Sequence, residues 1–112
     1  THPEYWGVDM NLEIQKELIS DYNVILERCF MQPLKSGRWI SNAERNLDVI
    51  RKLGAESTIL STDCGSPATP SWEESMRQYL QFMVDHNISQ KDLRSMTKTT
   101  PARLLGLVDT LE

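Results

Sequence analysis

Two short runs of apolar and β-branched residues, Val24-Ile25-Leu26-Glu27-Arg28-Cys29-Phe30 and Ser57-Thr58-Ile59-Leu60-Ser61-Thr62, limit most strongly what this chain can become. Each is too short for a helix that buries a face, and each has the composition of a strand. Between them lies a helical stretch. Ser41-Asn42-Ala43-Glu44 has capping-box spacing, Leu47, Ile50 and Arg51 follow, and Gly54 closes it. Strand, helix, strand in that order predicts a parallel pair joined by a helical crossover.

Helical signals flank the pair on both sides. Ile14, Leu18 and Tyr22 fall at i, i+4 and i+8 with Glu13, Lys16 and Glu17 off that stripe, which predicts an amphipathic helix capped by Asn11 and closed by Asn23. After the second run the chain breaks at Asp63-Cys64-Gly65-Ser66-Pro67. A second capping box, Ser71-Trp72-Glu73-Glu74, then opens a helix with Met76, Tyr79, Leu80 and Met83 on one face, ending near Asn87. Ser89 starts a short helix with Leu93 and Met96 inward. Thr100 before Pro101 reads as a fresh cap, and Gly106 as a stop. The fold class expected is α/β with a helical end.

The chain has 112 residues, enough for one core. Its net charge is -4 and no Lys/Arg cluster carries interleaved aromatics, so no nucleic-acid partner is expected. Apolar stretches of four or five residues are far below the roughly twenty that span a bilayer, and the start has no signal-peptide pattern, so no membrane partner and a cytoplasmic location are expected. Cys29 and Cys64 form no CxxC pair, and both are expected as reduced, inert thiols.

If Thr1-His2-Pro3 ends an earlier strand, strand ends fall near residues 2, 29 and 63, at intervals of 27 and 34 residues. A unit of an eight-fold β/α barrel averages about 31 residues. Three strands cannot close a barrel, and an open parallel sheet that small exposes its edges and faces. The expectation is therefore a C-terminal portion, about three β/α units plus terminal helices, of a (β/α)8 barrel, forming a single partial domain. Its complement would be the missing N-terminal barrel half, or other copies associating through strand edges. A small self-sufficient α/β domain is the competing architecture.

Functional groups in parallel α/β folds gather at the C-terminal strand ends, where His2, Glu27, Cys29 and Asp63 all fall. Alternation puts Ile59, Ser61 and Asp63 on one face. From the residues alone, Asp63 reads as a turn cap accepting backbone N–H bonds within Asp-Cys-Gly-Ser. Glu27 is a substrate or supporting group, or part of an ion pair near Arg28; Cys29 is a substrate contact or a buried thiol. His86, at a helix end, is expected against the last carbonyls rather than a metal.

The stretches Ile59-Leu60-Ser61-Thr62-Asp63-Cys64-Gly65, Trp72-Glu73-Glu74-Ser75-Met76-Arg77, Asn87-Ile88-Ser89-Gln90-Lys91-Asp92-Leu93 and Thr100-Pro101-Ala102-Arg103-Leu104-Leu105-Gly106-Leu107 together resemble the closing segment of the amidohydrolase superfamily. Thr1-His2-Pro3-Glu4 and Leu26-Glu27 resemble its sixth and seventh strand ends. The resemblance implies that Asp63 binds metal and accepts a proton from metal-bound water. It implies that His2 is a metal ligand or substrate contact. The cofactor implied is a divalent metal, zinc with manganese or iron as alternatives, and the activity is hydrolysis of a small-molecule substrate at a carbonyl or phosphoryl centre. Thr100 stands for the usual asparagine and Asn87 for the usual glycine, and the first-strand HxH pair has no counterpart, so the chain would supply only part of the site. A decarboxylase on the same barrel, or a non-catalytic interaction module without metal, are the alternatives.

Overall fold

Asn11 begins the first helix as its sequence predicts: its Oδ1 accepts from the Ile14 amide at 2.9 Å. Helix α1, Leu12–Tyr22, ends where Asn23 turns left-handed at φ 52°. The structure, a computed structural model, describes residues 1–107. Strand β1, Leu26–Cys29, pairs in parallel with β4, Thr58–Ser61, in the register Leu26 with Thr58 through Cys29 with Ser61. Helix α2, Ala43–Leu53, is the crossover between them. On the other side of β1 the His2 amide donates to the Glu27 carbonyl at 2.7 Å, so the first residues run beside β1. This is a mixed α/β arrangement, as expected.

The hairpin that follows β1 was not expected. Strand β2, Met31–Pro33, pairs antiparallel with β3, Trp39–Ser41, around a turn in which Gly37 takes φ 84°. Three-residue strands, one carrying a proline, leave too little period-2 pattern to read. Because Ser41 belongs to β3, Asn42 takes the cap position of α2 without capping it by its side chain; Ser41 Oγ accepts from the Ala43 amide at 3.2 Å.

The helical end also differs in one place. Helix α3, Trp72–Asp85, is capped by Ser71 as predicted, His86 Nδ1 lies 2.7 Å from the Phe82 carbonyl, and Asn87 is left-handed at φ 64°. Helix α4, Gln90–Arg94, then passes through a π-helical turn, Ser95–Thr99, into α5, Thr100–Leu104, without a break. Thr100 is helical and buried rather than a fresh cap. The wider turn, in which the Thr100 amide donates to the Ser95 carbonyl five residues back, relieves the clash that Pro101 would cause inside an α-helix.

The apolar core joins Phe30, Leu47, Ile50, Leu60, Tyr79, Met83 and Met96, with the Phe30 and Tyr79 rings stacked at 5.1 Å. A polar network runs through it: Gln32 donates to Asn42, Asn42 to Asn46, and Asn46 Nδ2 to both the Cys29 carbonyl at 2.8 Å and the Tyr79 hydroxyl at 2.6 Å. On the helix-covered face of β1 lies Arg28, at 0 % exposure. It is ion-paired with buried Glu4 and donates to Gln15 Oε1 at 3.0 Å and Thr58 Oγ1 at 3.2 Å. Gln15 is the one residue of α1 that is buried, so this contact sets the helix's rotation; Ile14 and Tyr22 of the expected inward stripe are 46 % and 68 % exposed.

Removing one member of a buried pair strands the other charge. Arg28→Met is expected to cost about 3–5 kcal/mol in urea unfolding, and adding Glu4→Met to restore much of that loss. Additive single-mutant costs would refute the coupling.

Candidate functional site

Strands β1 and β4, with the first residues beside β1, carry the candidate side chains. Strand alternation turns Glu27 and Cys29 away from the Arg28 face and sets Cys29 against Ser61, Sγ to Oγ 3.2 Å. Thr1 Oγ1 donates to Glu27 Oε2 at 2.7 Å. Burial alone would raise the Glu27 carboxyl, but hydrogen bonds from Thr1 and Ser61, aided by nearby His2, hold it below the ordinary carboxylate range. It stands as an anion bound by hydroxyls.

Cys29 is buried, and desolvation pushes its thiol up to about 11 against the opposing bond to Ser61, with the Glu27 and Asp63 carboxylates adding to the rise. A thiol so placed is protonated near neutrality and is no nucleophile. Cys64, after β4, is half-buried and donates to Ser75 Oγ at 2.9 Å; both cysteines are free.

Asp63 follows β4 with its backbone at φ 53° and its side chain exposed. It does not cap the turn. Thr62 Oγ1 accepts from the Cys64 amide at 3.3 Å instead, and the following loop is held by Ser66 and Thr69 hydroxyls. The Asp63 carboxylate takes no hydrogen bond among the described residues. His2, at φ 37°, is half-buried with Nδ1 unbonded among the described residues, its ring edge-on to Tyr5 at 5.2 Å. Left-handed backbone at non-glycine residues costs about 1–3 kcal/mol and concentrates at functional sites. It occurs at His2 and Asp63, and also at Asp9 and at the helix ends Asn23 and Asn87.

The Thr1 and Ser61 hydroxyls were not singled out from sequence as site groups, although Ser61 falls on the right face by period-2 alternation. Trp6, whose Nε1 donates to the Pro33 carbonyl at 2.9 Å and whose ring lies 5.2 Å from Lys35 Nζ, ties the first loop to the hairpin. Only the three-dimensional return of that hairpin reveals this contact. A cavity of about 330 Å³ lies within the loop that follows Asp63, walled by Cys64, Pro67, Pro70 and Trp72.

Among the described residues no group of three or more His, Cys, Asp or Glu is placed to hold a metal ion. Catalytic zinc takes about three protein ligands. His2 and Asp63, each with an unbonded ligating atom, fit part of such a set and not the whole. No helix among the described residues is long and apolar enough to cross a membrane. Comparison with protein families, curated proteins and solved structures found no match for this chain.

The burial of Cys29 has two measurable consequences. Maleimide at pH 8 is expected to label Cys64 rapidly and Cys29 only on unfolding. The raised folded value also makes Cys29 contribute stability that is complete below the ordinary thiol value of 9.0 and lost as pH rises through about 11. Cys29→Ala should flatten the fall in melting temperature across that window; equal labelling of both thiols in the native protein would contradict the placement.

Proposed function

We propose that the chain forms part of the site of a metal-dependent hydrolase of the amidohydrolase kind, on a (β/α)8 barrel to which its parallel strands belong. One observation carries the reading: an exposed carboxylate, Asp63, held in left-handed backbone at the end of an apolar strand without a structural partner. A turn cap would be hydrogen-bonded; exposed Asp9 shares the left-handed backbone, and what sets Asp63 apart is its place directly beyond β4. The unbonded Nδ1 of His2, beside β1 at Glu27, supports it.

In this reading His2 and Asp63 would hold a divalent ion together with ligands from outside the described residues. Such an ion, when bound, polarises a carbonyl or phosphoryl oxygen and makes its water acidic near neutral pH. Asp63 orients and accepts a proton at its carboxylate. Glu27, kept anionic by Thr1 and Ser61, fixes the site's electrostatics, and Cys29 serves as packing rather than as a nucleophile. Zinc suits a His and carboxylate donor set, as do manganese and iron. The substrate is a small molecule entering over the loops that follow the strands.

Metal analysis of the protein purified without chelators, in the assembly that turns over substrate, tests this directly. Stoichiometric zinc, manganese or iron is expected, with His2→Ala weakening its retention. Asp63→Asn should lower turnover by roughly 10²–10⁴-fold while changing stability by less than about 0.5 kcal/mol, since Asn tolerates the same backbone. Metal-free protein with full turnover, or full activity in Asp63→Asn, would end the proposal.

A further inference from the structure

We infer that the groove beside α4 docks helix α1 of a second copy of this chain, head to tail. The groove encloses about 750 Å³ between α3 and the α4 to π-turn segment, with Leu80 and Leu93 as its apolar floor and Lys91, Arg94 and Lys98 along its side. All three cations are exposed, and none makes an ion pair among the described residues. Lys91 and Arg94 lie one turn apart on α4, and Lys98 in the π turn that continues it lines the same groove.

Helix α1 presents the complementary surface. Its Ile14, Leu18 and Tyr22 stripe has the spacing of an inward face, yet the Gln15 contact to Arg28 rotates it outward, leaving Ile14 and Tyr22 exposed. Glu13, Glu17 and Asp21 run beside it as an exposed acidic row. Glu13 already pairs with Lys16; Glu17 and Asp21 meet no cation among the described residues. The two unpaired acids, Glu17 and Asp21, lie about 6 Å apart along the helix at the rise of 1.5 Å per residue, and Lys91 and Arg94 about 4.5 Å apart on α4. Charge sign and an apolar strip beside each row therefore match.

One helix laid in one groove is a small interface, so the association is weak and salt-sensitive. The two surfaces are different patches of one chain. The contact is heterologous and propagates from copy to copy unless a ring closes. It is independent of the metal site and stands or falls separately from the hydrolase reading.

Sedimentation velocity of the full chain over about 5–500 µM tests it, at about 0.05 M and about 0.5 M salt. Concentration-dependent association is expected at low salt and its loss at high salt. Glu17→Lys with Asp21→Lys, and separately Lys91→Glu with Arg94→Glu and Lys98→Glu, should each weaken association at least tenfold with unchanged far-ultraviolet circular dichroism. Mixing the two reversed proteins should restore it, because the unaltered helix of one meets the unaltered groove of the other, and reversed helix meets reversed groove. If either reversed chain fails to fold, Glu17→Gln with Asp21→Asn replaces it and should weaken association in the same direction. A wild type that stays monomeric overturns the inference, leaving the groove to some other acidic partner. Reversed variants that associate as strongly as wild type also overturn it, in favour of strand-edge pairing. So does a mixture of folded variants that fails to associate.

Discussion

The ion pair between Arg28 and Glu4 is the constraint on which the remaining geometry rests. A guanidinium at 0 % exposure in the middle of a four-residue strand is tolerable only if every neighbour turns toward it. Glu4 does so from the first loop, Gln15 from α1 and Thr58 from β4. Three separate segments are thereby referenced to one side chain. Glu4 lies two residues after His2, so the pair also fixes where His2 stands beside β1. The hydrogen bonds from Asn46 to the Cys29 carbonyl and from Tyr79 to the Arg28 carbonyl secure the same strand from the α2 and α3 side. Polar contacts set the registration here, and the apolar core fills around them.

That division explains what was legible in the sequence. The parallel pair, its crossover helix, and the caps at Asn11, Ser71 and Ser89 follow local rules of spacing and hydrogen bonding, and all are present. The inward face of α1 was misread because periodicity weighs apolar residues and cannot see that a buried arginine thirteen residues away needs Gln15. The β2 and β3 hairpin has too few residues to carry a period. Thr100 looked like a cap because proline after threonine usually follows a break; the π turn removes the need for one.

The site was legible in part for a related reason. Position at a strand's C-terminal end is a topological property, and the order of elements was readable: Cys29 ends β1 and Asp63 follows β4, while Glu27 lies inside β1 with the His2 amide on its carbonyl. Their roles were less readable. Whether Asp63 caps its turn depends on which of two adjacent oxygens reaches the Cys64 amide, and Thr62 does. Whether Cys29 is reactive depends on burial and on Ser61, which lies thirty-two residues away in the chain.

The π turn at Ser95–Thr99 bears on how this chain tolerates changes of length. Such a turn is in effect an α-helix with one residue inserted. Deleting a single residue there would restore α-helical pitch with the residues beyond it facing much as they do now. Thr100 and Ala102 would stay buried, but Pro101 would meet a carbonyl it now avoids. Length at this point is as strictly specified as residue identity is at Arg28.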